Sequence, residues 1–340
     1  MGCNRPSVDG RAFLAWLKAA SRALGRHRKR IDALNVFPVP DGDTGTNLWM
    51  TLTASYRQAR LALPGSLVAI GRAAAQGALV GARGNSGVIF SQLVAGFVQH
   101  VEEQGDPEEL DGAGLARALK RAAEQAYRAV PEPVEGTMLT VAREAASAAM
   151  RRAEGGDAEL REVLLAALAA AQRALWNTPS QLPQLAQAGV VDAGGLGLVL
   201  VLGCACGQDS QEAVGCGWGF AAGVAAGGTA TAQLADGAGG PAIQPASLER
   251  PYCTEFVVQG EHIPLQRLRR RLAGLGDCVL VVGDSHQARC HLHTARPGRA
   301  LEAALPFGQL LAVSVTNMQE QNRRAAGVRP RRPRPGADLQ

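Results

Sequence analysis

Asn35-Val36-Phe37-Pro38-Val39-Pro40-Asp41-Gly42-Asp43-Thr44-Gly45-Thr46-Asn47 sets two carboxylates around a glycine and follows them with hydroxyl, glycine, hydroxyl and amide. Mg²⁺ takes one or two carboxylates and otherwise keeps waters and phosphate oxygens, a ligand set that a short acidic turn can supply. Small residues let backbone N–H groups come close to phosphate. The segment reads as a meeting place for a metal, on Asp41 and Asp43, and a phosphorylated ligand. Asp-Gly-Asp is also ordinary turn chemistry, so the stretch takes its meaning from its company.

That company is Val80-Gly81-Ala82-Arg83-Gly84-Asn85-Ser86-Gly87-Val88-Ile89, a glycine-rich turn opening onto the helical spacing Ile89, Leu93, Phe97, Val101. Such a turn at a helix start binds anions through free N–H groups and the helix dipole. Neither segment is a Walker A loop, since no Gly-Lys-Ser/Thr occurs. The lysines, Lys18, Lys29 and Lys120, lie in neither loop. Phosphate charge is then left to Mg²⁺, backbone amides and Arg83.

These two segments, with Pro133-Val134-Glu135-Gly136-Thr137-Met138-Leu139-Thr140 and Ala188-Gly189-Val190-Val191-Asp192-Ala193-Gly194-Gly195, resemble in order and spacing four landmark motifs of one family. It is the bacterial fatty acid kinase catalytic subunit family, whose N-terminal part is a dihydroxyacetone-kinase-type (DhaL) ATP-binding domain. The resemblance implies an all-α eight-helix bundle with the nucleotide at one end, ATP as donor and Mg²⁺ as metal. It implies Asp41 and Asp43 as the catalytic Mg²⁺ ligands. Asn35 would be a third ligand through its amide oxygen, where related subunits have an aspartate nearby. Thr44, Gly45, Thr46 and Asn47 should face phosphates or the metal shell. Gly84, Asn85, Ser86 and Gly87 should cradle the nucleotide phosphates. Thr137 and Met138 would close over the nucleotide, and Asp192 with Gly194 would complete its pocket. Thr137 and Asp192 read equally well as helix N-caps. Leu196 stands where relatives often have glutamine.

Composition fits an enzyme of this kind. The 340 residues can hold two domains with separate cores, and 46% are hydrophobic. No segment is long and apolar enough to span a bilayer, and no apolar run at the N-terminus is flanked like a signal peptide, so a cytoplasmic address is expected. The net charge of +5 is concentrated in Arg26-His27-Arg28-Lys29-Arg30 and in residues 323–334. The first reads as a solvated helix face and the second as a disordered Pro/Arg-rich tail. Without interleaved aromatics neither makes a stacking platform, and nucleic acid is not an expected partner. Seven irregularly spaced cysteines give no disulfide framework. Cys204, Cys206 and Cys216 read as a helix end rather than a metal cluster.

Residues 1–206 are expected to be the helical kinase domain. Phe13, Trp16, Leu17, Leu24, Ile31 and Leu34 form one amphipathic stripe, and Leu160, Val163, Leu164, Leu168, Ala171 and Leu175 another, with Asp157 as its N-cap. Similar patterns cover 47–60, 67–78, 86–102, 115–129, 137–151 and 193–204, about eight helices in all. Residues 207–250, rich in Gly and Ala, read as a linker. Residues 251–322 read as strand 252–258, helix 264–273, strands 278–282 and 288–293, helix 298–304 and strand 310–316. That is the β-α-β-β-α-β order of a ferredoxin-like α+β sandwich, with first and third strands adjacent. Residues 323–340 are the basic tail.

In the small domain, His291-Leu292-His293 puts two imidazoles on one face of a strand. Cys253 and Glu255 share parity on the first strand, so one face collects Cys253, Glu255, His291 and His293. Cys with two His is a Zn²⁺ ligand set, leaving a fourth position for water, Glu255 or a substrate group. Spacing by itself favours two exposed histidines beside a half-buried cysteine. Tyr252-Cys253-Thr254-Glu255-Phe256 and His291-Leu292-His293-Thr294 resemble the family's middle-domain segments, and that resemblance implies zinc on Cys253, His291 and His293. Cys290 points to the other face.

The resemblance further implies transfer of phosphate from ATP to the carboxylate of a fatty acid held by a separate acyl-binding protein, and a homodimer. It places the chain in phospholipid metabolism. A further C-terminal domain, usual in the family, is expected to be lacking here. Two other readings stay open: a kinase of the dihydroxyacetone (glycerone) type that phosphorylates a small polyol or ketone, and a non-catalytic nucleotide- and zinc-binding regulatory protein.

Overall fold

The structure, a computed structural model, describes residues 7–154, 158–208, 210–214 and 249–325. Asp157, most of the expected linker and the tail beyond residue 325 lie outside the described residues.

The N-terminal part is helical: α1 (Gly10–Asp32), α2 (Thr44–Leu61), α3 (Leu67–Gly81), α4 (Gly84–Glu103), α5 (Gly112–Ala129), α6 (Met138–Ala153), α7 (Leu160–Gln181), the short α8 (Pro183–Ala188), α9 (Ala193–Ala205) and α10 (Ser210–Val214). Two short strands, β1 (Val8–Asp9) and β2 (Glu109–Leu110), pair antiparallel. Side chains cap several starts: Asp9, Ser66, Asp111, Thr137 and Asp192 each accept a first-turn N–H. Each such cap stabilises its helix by about 1 kcal/mol. In α9, residues 193–203 are all buried, and a helix apolar on every side belongs in a centre. It packs against α1, α2, α6 and α7. Its Leu196, Val199 and Leu200 join Leu24, Leu48, Val141 and Leu175 in one core.

Three helices start earlier than the apolar periodicity indicates: α2 at 44 rather than 47, α4 at 84 rather than 86, α5 at 112 rather than 115. Small and polar residues (Thr44-Gly45-Thr46, Gly84-Asn85-Ser86 and Gly112-Ala113-Gly114) fill those first turns, where N–H groups have no partner within the helix. The acidic and glycine-rich segments are therefore not only loops. Their second halves are helix N-termini.

The second part is β3 (Tyr252–Gln259), α11 (Leu265–Ala273), β4 (Asp277–Gly283), β5 (Gln287–Thr294), α12 (Pro297–Ala304), β6 (Gln309–Asn317) and α13 (Met318–Ala325). The sheet order is β4-β5-β3-β6, with every pair antiparallel, so the first and third strands of this part are neighbours. Phe256, Val258, Ala288, Cys290 and Leu292 point into a core with Leu268, Leu272 and Ala300 from the two helices. The opposite face meets the helical part: Leu280 and Val282 of β4 pack against Leu79, Ala82, Val88 and Ala129. Arg269 of α11 adds a hydrogen bond from Nη2 to the carbonyl of Ala129 at 3.3 Å. No helix among the described residues is long and apolar enough to cross a membrane.

Candidate functional site

Between the two parts lies a cavity of about 940 Å³, within the size range of small-ligand sites. The starts of α2, α4, α6 and α9 line it, through Thr44, Gly84, Met138 and Gly194. Each helix start carries a partial positive charge and free N–H groups, so four of them around one space favour an anion. Arg83 is the one guanidinium among the described lining residues.

Asp41 and Asp43 sit at the same rim, joined by a turn in which Gly42 has a φ of 69°. Burial pushes the carboxyl of Asp41 upward, and the charge of Asp43 pushes it further. Asp43 is raised as well, by burial first. Both shifts favour the neutral form of these carboxyls, and a divalent ion bound there would favour the ionised one. Their partners are short neutral donors. Asn47 Nδ2 donates to Asp43 Oδ1 at 2.7 Å, and Asn35 Nδ2 donates to Asp41 Oδ1 at 2.6 Å. Although Asp43 precedes α2, its side chain makes no capping bond, which leaves the carboxylate facing the cavity. The donor set fits Mg²⁺.

Several expected residues fall differently. The amide oxygen of Asn35 accepts from Thr44 Oγ1 at 2.8 Å while its nitrogen orients Asp41. A metal bond would therefore have to use that oxygen's second lone pair. Thr46 is engaged twice by Asp32, through its N–H at 2.8 Å and its hydroxyl at 2.7 Å. Gly45 and Gly87 do not line the cavity. A Cβ on Gly45 would strike Arg28 O of α1, and one on Gly87 would strike Thr51 Oγ1 of α2. Their lack of a side chain serves helix packing. Gly84, Asn85 and Ser86 do line the cavity, as do Thr44, Thr46, Asn47, Thr137, Met138, Asp192 and Gly194. A side chain on Gly84, whose φ is 60°, would collide with Asn47 Nδ2. Thr137 and Asp192, which read as caps or pocket residues, are both. Asp192 Oδ2 accepts from Gly195 N at 2.7 Å, and burial raises its carboxyl to about 6.

The sheet face supplies the opposite wall. Cross-strand register places Cys253 against His293 and Glu255 against His291. Donor atoms of Cys253, His291 and His293 all lie within 4.8 Å of one another. His291 Nε2 is buried without a hydrogen-bond partner. Burial and the neighbouring His291 hold His293 down at about 3, so it is neutral and ready to donate a lone pair. Burial raises the Cys253 thiol, and Glu255 adds to the effect. A thiolate held by zinc would reverse that cost. A thiol with two imidazoles fits Zn²⁺. His293 also belongs to a second donor group with Asp277 and Cys278. Cys278 has a φ of 49° beside a break in the β4–β5 register.

Glu255 is the residue whose role the sequence reading understates. Its Oε1 accepts from Gly84 N at 2.7 Å and lies 3.1 Å from His291 Nδ1. Its Oε2 lies 3.2 Å from Arg289 Nη2 and 3.4 Å from Arg83 Nη1. Burial alone would raise it, but His291, Arg289 and the Gly84 N–H outweigh that and hold it at about 2. Arg289 is fully buried, and among the described residues the Glu255 ion pair is the one polar contact of its guanidinium. The parity of β5 could have shown that Arg289 shares a face with His291 and His293. No local signal marks Gln321 of α13, which donates to Asp43 Oδ2 at 3.4 Å.

Comparison with known proteins agrees with this division. The family described as "DAK2 domain" matches residues 38–206, and the FakA-like middle domain of fatty acid kinase matches residues 249–325. Protein YloV of Bacillus subtilis (strain 168) is 35% identical over 332 residues, covering 93% of this chain and 56% of that protein. An uncharacterized protein of Staphylococcus saprophyticus, SSP1546, is 35% identical over 336 residues with the same coverage. The chain thus spans a little over half the length of the curated relatives it matches. Among solved structures, the dihydroxyacetone kinase of C. freundii in its native form aligns with 60% of this chain and 35% of its own, at 21% identity and a TM-score of 0.44. Two matches that tile the helical and the sheet parts in order, with relatives aligned across both, make this chain a member of the FakA-like fatty acid kinase family, a DAK2 domain followed by that family's middle domain.

Proposed function

We propose that this chain is the nucleotide-binding portion of an ATP-dependent kinase that phosphorylates the carboxylate of a fatty acid presented by a separate acyl-binding protein. The observation that carries this reading is the joint arrangement of Asp41, Asp43 and four helix N-termini around one cavity. Phosphoryl transfer asks a protein for alignment and for positive charge where negative charge gathers, and little else. Asp41 and Asp43 hold Mg²⁺, oriented by Asn35 and Asn47. When bound, the metal neutralises phosphate oxygens of ATP. The first-turn amides of α4 at Asn85 and Ser86 hold the phosphates, assisted by Arg83. Thr44, Asn47, Thr137, Met138, Asp192 and Gly194 shape the rest of the pocket. A carboxylate oxygen of the acceptor attacks the γ-phosphorus, the bond to the β–γ bridging oxygen breaks, and ADP leaves with an acyl phosphate formed.

A carboxylate acceptor arrives ionised, so the protein need supply no base; a hydroxyl acceptor has a proton to lose. The cavity lines up several carboxylates and histidines that could serve either acceptor, and it is the match to the fatty acid kinase middle domain that favours a fatty acid over a small polyol. The DAK2 match favours the dihydroxyacetone-type alternative as a second reading. Transfer of ³²P from ATP to lipid-loaded acyl-binding protein, against transfer to dihydroxyacetone, separates the two. Label in neither acceptor, with ATP bound, would leave a non-catalytic binding protein.

Cys253, His291 and His293 are proposed to hold zinc, and the small domain is proposed to be ferredoxin-like in type. A homodimer is proposed on family grounds and is checked by sedimentation.

A further inference from the structure

We infer that Glu255 is a positioning residue that couples the Cys253–His291–His293 metal site to the nucleotide site, so that zinc tightens nucleotide binding. This rests on the zinc reading proposed above. The geometry is a relay of adjacent hydrogen bonds. His291 has one nitrogen, Nε2, buried and unpartnered, and the other, Nδ1, 3.1 Å from Glu255 Oε1 and 3.7 Å from Cys253 Sγ, so a metal shared with Cys253 and His293 leaves Glu255 to Nδ1 only when it takes Nε2. A metal on Nε2 fixes the proton on Nδ1, which then donates to Glu255; carboxylates in this position orient metal-bound histidines. The same carboxylate oxygen accepts from Gly84 N, the first amide of α4. Gly84 belongs to the helical domain, 171 residues away in sequence. Metal, imidazole, carboxylate and helix start thus form one line across the domain boundary.

The sign of the coupling follows from what each group does to the start of α4. Three first-turn amides of α4, at Gly84, Asn85 and Ser86, lack partners within the helix, because Gly87 N makes the first helical bond, to Arg83 O at 2.9 Å. Glu255 takes the first and leaves the other two for an anion. Its own charge is met by Arg83 and the buried Arg289, so it anchors the helix start without an uncompensated negative charge beside the phosphates. Fixing the His291 proton fixes the carboxylate, and with it the amides and Arg83. A dication in the same wall adds attraction for the nucleotide. Both effects favour binding, and linkage requires that nucleotide tighten zinc by the same factor.

The test measures ATP-analogue affinity of the full chain by calorimetry in Mg²⁺, zinc-free and zinc-loaded, for wild type and Glu255→Gln. Metal content is read independently by mass spectrometry, and site geometry by the Co²⁺ absorption spectrum. Wild type should bind the analogue about tenfold more tightly with zinc, a usual size for coupling between sites. Glu255→Gln should keep its metal and thiolate–cobalt bands while the zinc effect falls below about twofold. Slower exchange of the Gly84 amide on adding zinc should appear in wild type and vanish in the variant. Glu255→Asp, which keeps a charge for Arg289 but draws the carboxylate back from Gly84, should lose the coupling too, and serves if the glutamine variant does not fold. Wild type without metal at this site overturns the zinc reading and the coupling with it. Metal bound with no change in wild-type affinity, or an undiminished zinc effect in the variants, overturns the coupling alone.

Discussion

Around Asp41 the side chains that matter come from thirteen consecutive residues, 35–47, with one helper from α13; around His291 they come from two paired strands and, through Glu255, from another domain. The charge balance is opposite as well. The acidic turn holds two buried carboxylates whose other side-chain partners are neutral amides; burial pushes both toward the protonated form, and the charge of Asp43 pushes Asp41 further. The sheet face holds one carboxylate with two guanidiniums and an amide around it, and is strongly ionised. The first arrangement is poised to gain a cation. The second has its cations already built in and uses its carboxylate to orient. The two proposed metal sites, on opposite walls of one cavity, therefore ask different things of their surroundings, and substitutions should separate them.

The largest expected effect on stability is at Glu255. Glu255→Ala leaves Arg289 buried and unpaired, which costs about 3–5 kcal/mol. Chemical denaturation should show it, and a loss under about 1 kcal/mol would mean that Arg289 finds water or another partner. Next comes Cys253→Ala, expected to weaken zinc by more than about 100-fold, beyond the usual cost of losing an outer-shell partner. It should spare the acidic turn, so that Mg²⁺-dependent nucleotide binding persists at the zinc-free level in the same titration.

The carboxylate pair predicts a pH dependence of definite sign. Asp41 and Asp43 have folded-state values raised above their unfolded ones. The metal-free protein is thus favoured by protons. That contribution is complete below the ordinary carboxylate range and is lost as pH rises through the raised values. Mg²⁺ replaces those protons, so its stabilisation should grow over the same window. Thermal melts with and without MgCl₂ should show a larger shift at pH 8 than at pH 5, reaching about 2–3 kcal/mol when Mg²⁺ is near 100 times its Kd. An equal shift at both pH values would place the metal elsewhere. The smallest effects belong to the caps. Asp192→Ala and Thr137→Ala should each cost about 1 kcal/mol of stability. Any much larger loss of nucleotide affinity in either variant would measure its second role, as cavity wall.

The contrast between the two regions also explains what the sequence could and could not convey. Helices and strands were legible because their apolar periodicities are local. So was the alternation that puts Cys253, Glu255, His291 and His293 on one face. Parity is a property of a strand, but what that face meets is not. Nothing near Glu255 announces Gly84, and nothing near Gln321 announces Asp43. Gly45 and Gly87 illustrate the reverse difficulty. A glycine that admits a neighbouring helix and a glycine that admits a phosphate are the same letter, and only Arg28 and Thr51 in contact tell them apart. Thr137 and Asp192 stayed ambiguous because capping and pocket lining are compatible at a helix start. The earlier onset of α2 and α4 was hidden by Gly, Thr, Asn and Ser, which carry no apolar signal, though those turns supply the free amides.

The measurement that bears most directly on the central claim is calorimetric titration of ATP into the full chain, with and without Mg²⁺, for wild type and Asp43→Ala. Binding by wild type that requires Mg²⁺, and a loss of more than about 100-fold in the variant with helicity unchanged, is the predicted result. Tight binding retained by Asp43→Ala, or indifferent to Mg²⁺, would contradict the assignment of the acidic turn as the metal site of a kinase.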